Sequence, residues 1–235
     1  MEPSVTTPAL KSALSATTET LLSIGALSLI YDLGLRRELH TELLKLVGIQ
    51  RSISSNHVSG ASRNADAPWP DLLTRKADYR CILVDPLLWT ETNWQLIADS
   101  ARQRKVHVSL VVPDPTAPYL NRFADFLGVS EQQASSSIQQ AIELVESRWK
   151  DLSEQKRIIT GSTIEVRHAV EMPSYSIVIA DQSAIMSHFS VAGKRGSDLG
   201  FSVIFDGPLD SFPMNWLARQ VETNSGAIAY SNEVT

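Results

Sequence analysis

At 235 residues, with 43% hydrophobic and 20% charged residues, the chain is long enough for one large domain and too apolar to be disordered throughout. A net charge of -5 removes any global attraction to nucleic acid or anionic lipid, so an anion site would have to be local. The single cysteine, Cys81, excludes an intrachain disulfide and points to a reducing compartment; set in an apolar run, it reads as a small buried hydrophobe.

Residues 1–49 read as an amphipathic helical segment. Met1–Pro8 has neither the basic start nor the small-residue cleavage site of a secretory signal, so none is expected. From Ala9 to Val47 there is no proline, and Ile24, Leu27, Tyr31, Leu35, Leu39, Leu43 and Leu46 recur at steps of three and four, on one helical face. Glu19 and Asp32 leave only 12 residues between them, short of the roughly 20 needed to cross a bilayer. The apolar face of residues 21–46 has three readings: packing on its own domain, a helical dimer seam, or attachment to a membrane surface. Residues 50–68, rich in Ser, Asn, Ala and Gly, read as a linker in which His57 is a solvated loop residue.

The main domain is expected over 69–235. Tyr79–Asp85 predicts a buried strand, Thr90–Lys105 a helix capped by Thr90, and Val106–Val112 a second strand. Strand, helix and strand over this length make a right-handed βαβ unit with parallel strands. Asp85 and Asp114 would then stand at the strands' carboxyl ends, where open α/β sheets bind ligands; each adjoins a proline and reads first as a turn residue. Ala117–Leu127 predicts a short helix stopped at Gly128. Ser130 and Gln133 form a capping box for a long helix through Ile138, Ile142, Val145 and Trp149, with Trp149 packed on the sheet.

Three short β-rich runs follow: Thr163–Ala169, Tyr175–Ala180 and Ala184–His188, with a turn at Asp181-Gln182-Ser183. A basic glycine loop, Gly193-Lys194-Arg195-Gly196, leads to a strand over Gly200–Asp206. Pro208–Val221 predicts a last helix with Phe212, Trp216, Leu217 and Val221 inward, and Gly226–Tyr230 a short edge strand. No metal-spaced Cys/His cluster, dinucleotide fingerprint, phosphate loop or nucleophile elbow occurs, so neither metal nor cofactor is expected.

The runs Ile164–His168, Tyr175–Asp181, Ala184–Ser187 and Leu199–Asp206 resemble the core of the phospholipase D superfamily, in which a strand carrying H-x-K-x4-D enters a turn and a second strand. The resemblance covers about Trp69 to Tyr230 and implies an α/β fold with a mixed sheet flanked by helices, preceded by the long N-terminal amphipathic helix. Counting back from Asp181, Ser174 stands at the histidine position and Ser176 at the lysine position. The family's downstream G-S-x-N element falls on His188, Phe189 and Val191. Active members attack phosphorus with the motif histidine and protonate the leaving group with a second one. Here an alcohol replaces the imidazole and nothing replaces the lysine's charge.

The resemblance therefore implies a non-catalytic module, used in sensing or scaffolding and paired into a homodimer. Ser174 and Ser176 would face either a ligand or the dimer seam. The alternative is a diverged phosphodiesterase or nuclease, with His168, His188 and Asp181 as candidate catalytic residues. In that reading His168 and His188 end neighbouring strands and converge, directly or across a dimer axis, with Lys194 and Arg195 around a phosphate-containing ligand. A third reading binds nucleotide or nucleic acid through Lys194 and Arg195. The expected location is cytoplasmic, with peripheral attachment to a membrane or to a helical partner through residues 21–46.

Overall fold

The computed structural model describes residues 56–188 and 200–234. Residues 1–49, expected to be an amphipathic helical segment, lie outside the described residues. Within them, an eight-stranded mixed sheet is flanked by helices on both faces.

The sheet grows from the expected βαβ unit. Strand β2 (Asp78–Ile82) and strand β3 (His107–Val112) pair in parallel, with Tyr79 opposite Val108 and Cys81 opposite Leu110. Between them runs helix α2 (Pro86–Gln103), which starts four residues before the expected Thr90. Its cap is Asp85, whose carboxylate accepts the Leu88 N–H at 3.2 Å, and Pro86 sits at the first helical position. Proline's fixed φ suits that position and its missing N–H costs nothing there, so Asp-Pro outcompetes a threonine inside the apolar run. Thr90 itself is buried within the helix.

Helix α3 (Leu120–Leu127) ends at Gly128, which takes the left-handed conformation at φ 67°. Helix α4 (Glu131–Glu154) begins with the expected capping box: Ser130 Oγ accepts the Gln133 N–H at 3.2 Å, and Gln133 Oε1 accepts the Ser130 N–H at 3.1 Å. Strand β4 (Thr163–Ala169) pairs in parallel with β3. The chain then crosses the sheet. Strand β5 (Tyr175–Ala180) pairs antiparallel with β2, not with β4, and strands β6 (Ser183–His188) and β7 (Phe201–Asp206) follow outward.

Two edges differ from expectation. Val58–Arg63, expected as linker, is strand β1 and pairs with β7; a single 3-10 turn, Asn64–Asp66, and helix α1 (Trp69–Leu73) follow. The small residues of this stretch carry a weak propensity signal, and it is pairing with β7 that makes them a strand. His57 is correspondingly half-buried rather than solvated: a Cβ on Gly207 would lie 2.7 Å from its ring, so the close approach requires glycine there. At the opposite edge, strand β8 (Ser225–Glu233) is longer than expected and pairs antiparallel with β4. The strand order is β1-β7-β6-β5-β2-β3-β4-β8.

Alternation along the strands divides the core in two. On one face Tyr79, Cys81, Leu110, Ile164, Val166 and Val178 pack under α2, α3 and α4, with Trp149 fully buried and edge-on to Trp94 at 6.4 Å. Burial pushes the Cys81 thiol far up, as expected of a packed hydrophobe rather than a nucleophile. On the other face Ile82, Val111, Ile177, Ile179 and Ala184 meet helix α5 (Met214–Asn224) through Met214, Leu217 and Val221. The inward residues of α5 thus exclude Phe212, which precedes the helix and is 61% exposed, and Trp216, which is 39% exposed. Trp216 is turned about 100° from Leu217 by the helical repeat.

Candidate functional site

Of the residues singled out by the phospholipase D resemblance, Ser176 and Asp181 are held by hydrogen bonds to the backbone. Ser176 is buried on the α4 side of β5, and its hydroxyl accepts the Val84 N–H at 2.9 Å. That bond satisfies a backbone donor just beyond the end of β2. Register continues the serine across the sheet: Ser176 lies opposite Ser187, Ser187 opposite Ser202, and Ser202 opposite Ser62. The Ser187 and Ser202 hydroxyls are 2.8 Å apart, Ser202 donates to Asn64 Oδ1 at 2.7 Å, and Asn64 Nδ2 donates to the His188 carbonyl at 3.1 Å. This buried polar row ties β6, β7 and the 3-10 turn together. Ser174 stands apart from it, exposed and ahead of β5.

Asp181 is the first residue of the two-residue turn joining β5 and β6, at φ 52°. Aspartate tolerates this left-handed backbone better than most residues. Its carboxylate accepts the N–H groups of Ala77 at 3.2 Å and Asp78 at 2.9 Å, and its own N–H donates to the Asp78 carbonyl at 3.0 Å. The side chain therefore fastens the hairpin to the start of β2.

His168 and His188, expected at the ends of neighbouring strands, do not meet within the chain. Because β5 pairs with β2, three strands stand between β4 and β6, which puts the two histidine strands about 19 Å apart at the usual spacing. They also face opposite ways. His168 lies opposite Val112, on the α4 side, whereas His188 lies opposite Tyr175 on the α5 side and stacks on Phe201 at 5.7 Å. Lys194 and Arg195 lie outside the described residues.

Around His168 the polar groups are engaged in turn structure. Asp114 accepts the Thr116 N–H and hydroxyl, each at 2.7 Å. Partial burial pushes its pKa up, but the two Thr116 bonds and nearby His168 together hold it below the ordinary value. Tyr119 accepts the Asp114 N–H at 2.8 Å and donates to the Ala169 carbonyl at 3.0 Å, and burial raises its pKa. Nδ1 of His168 is buried with no hydrogen-bond partner.

A second site lies where the sequence reading placed none. Beside the carboxyl end of α5, a cleft of about 290 Å³ opens over the sheet. Two side-chain rows form its floor: Asp78, His107 and Thr163, then Arg80, Ser109 and Glu165, each row crossing β2, β3 and β4 in register. Val221, Glu222 and Ser225 form its wall. Arg80 donates through Nε and Nη2 to Asp78 at 3.0 and 2.8 Å, and its Nη1 lies 3.8 Å from Glu222. Glu165 accepts from Arg167 Nη2 at 2.8 Å, and His107 Nδ1 lies 2.9 Å from the Thr163 hydroxyl. The signal was a period of two: Asp78-Tyr79-Arg80, His107-Val108-Ser109 and Thr163-Ile164-Glu165 all alternate polar with apolar.

No protein-family model matches the chain. No curated protein matches it. Among solved structures it is similar to TrmBL2, an archaeal chromatin protein whose structure shows a novel mode of DNA binding, at 12% identity and a TM-score of 0.37, over 94% of this chain and 68% of that one. A likeness at that level carries no functional argument. Among the described residues, no group of three or more His, Cys, Asp or Glu side chains is placed to hold a metal ion, and no helix is long and apolar enough to cross a membrane.

Proposed function

We propose that this chain is a non-catalytic α/β module that binds and relays, in sensing or scaffolding, rather than cleaving a phosphodiester. The observation that supports this most strongly is the placement of His168 and His188 on opposite faces, with three strands between theirs. Two imidazoles serving as nucleophile and acid on one phosphate must both come within hydrogen-bond reach of it, directly or across a dimer axis, and within one chain these two do not. The engagement of Ser176 and Asp181 with backbone N–H groups supports the same reading. The homodimer, and attachment to a partner or membrane surface through residues 21–46, rest on the sequence.

The test pairs a hydrolysis assay with a solution mass. The full chain, incubated with bis(p-nitrophenyl) phosphate and with single-stranded DNA, is expected to release no product, and light scattering is expected to return twice the chain mass. Hydrolysis abolished by His168→Ala or His188→Ala would overturn the non-catalytic reading. A monomer mass would overturn the dimer alone. Vesicle flotation of the full chain against one lacking residues 1–49 tests the membrane surface, which a protein partner would leave unbound.

A further inference from the structure

The cleft over β2, β3 and β4 has a chemistry more specific than a solvated sheet face. One of its two rows places a guanidinium and a carboxylate on either side of a hydroxyl, as Arg80, Ser109 and Glu165. Arg80 and Glu165 are two strands apart, so their backbones stand about 10 Å from each other. Both charged groups are partly open to solvent, at 35% and 32% exposure.

Each also has capacity left. Arg80 commits Nε and Nη2 to Asp78, but at 3.8 Å from Glu222 its Nη1 is beyond hydrogen-bond distance. Glu222 is 67% exposed at the end of α5, which leaves it room to turn away when another carboxylate arrives. Glu165 uses Oε1 for Arg167, leaving Oε2. The hydroxyl of Ser109 has no hydrogen bond among the described residues, and Val221, otherwise buried in the α5 core, lines the cleft.

We infer that this cleft binds a small ω-amino-acid-like zwitterion, with its carboxylate on Arg80, its ammonium on Glu165 and its methylenes crossing Ser109 beside Val221. The inference rests on the reading of the chain as a binding module and supplies that module with a ligand class. Acidic side chains alone would favour a simple cation; Nη1 of Arg80, which has no hydrogen bond and only the exposed Glu222 at 3.8 Å, is what selects for an anionic group at the other end. With the two charged side chains rooted two strands apart, a longer zwitterion is expected to bridge them better than an α-amino acid with adjacent charges.

The experiment is calorimetric titration of the full chain with a ruler of probes: glycine, 4-aminobutyrate and 6-aminohexanoate, then 6-aminohexanamide and N-acetyl-6-aminohexanoate. Expected is saturable binding of the longer zwitterions with Kd at or below about 1 mM, weaker by about tenfold or more for glycine and for both blocked probes. Glu165→Gln and Arg80→Gln should each weaken binding by about tenfold or more with the circular dichroism unchanged; Ser109→Ala, which breaks no ion pair, serves if either variant fails to fold. No binding of the longer zwitterions, or equal binding of the amide, overturns the inference, as does binding indifferent to all three substitutions. Loss of binding without phosphodiester hydrolysis leaves the non-catalytic reading standing, and hydrolysis with binding retained leaves the cleft standing, so the two failures are distinguishable.

Discussion

Under α2, α3 and α4, strands β2, β3 and β4 present Tyr79, Cys81, Val108, Leu110, Ile164 and Val166, while the same strands present Asp78, Arg80, His107, Ser109, Thr163 and Glu165 on the side of α5. Parallel strands usually have both faces covered and read as continuous apolar runs. Among the described residues only α5 lies on the second face, and it packs over Ile82, Val111, Ile177 and Ile179. The first face carries the larger buried cluster, while on the second the polar side chains of β2, β3 and β4 that α5 leaves uncovered stay partly exposed.

The largest expected effect comes from cutting into the packed face. Trp149→Ala should lower the unfolding free energy by about 3 to 5 kcal/mol in urea denaturation, because the indole is fully buried between α4, α2 and the sheet. Asp181→Ala should cost about 1 to 3 kcal/mol, since it strands the Ala77 and Asp78 N–H groups at the start of β2. Phosphodiesterase assays on that variant check whether the residue does anything besides fasten the hairpin.

A pH-dependent effect sharpens the contrast. Burial, against hydrogen bonds at the hydroxyl, pushes the Tyr79 pKa up to about 12 from the ordinary 10.0. The folded state favours the neutral phenol, so its contribution is full below pH 10, is lost as pH rises, and is gone above about 12. Tyr79→Phe should flatten that part of the stability profile, measured by urea midpoints between pH 9 and about 12. The smallest effect belongs to the open face. Glu165→Gln breaks a partly exposed ion pair with Arg167 and should change stability by less than about 1 kcal/mol. A loss comparable to that of Trp149→Ala would break the comparison, because it would make the cleft face structural as well.

Local chemistry explains which features were legible. Ser130 and Gln133 mark the start of α4, and Gly128 the end of α3, because caps and left-handed turns are decided by residues a few positions apart. Asp85 was misread because its Asp-Pro looks the same as a turn and as a helix start. Strand β1 was missed since Val58–Arg63 is small and polar, and only β7 beside it gives its backbone partners. Phe212 and Trp216, expected inward with Leu217 and Val221, are exposed because the helical phase of Met214, Leu217 and Val221 sets the buried side.

The sequence by itself determined that this is an α/β chain and where most of its strands and helices run. Those properties depend on residue identity and near-neighbour spacing. Only the tertiary structure decided which strands are neighbours. The return of β5 to pair with β2 separates His168 from His188, hands Asp181 to the start of β2, and leaves Arg80, Ser109 and Glu165 in one open row. Such choices turn on hydrogen bonds and packing between segments about a hundred residues apart, as between Asp78 and Asp181, and no local pattern encodes them.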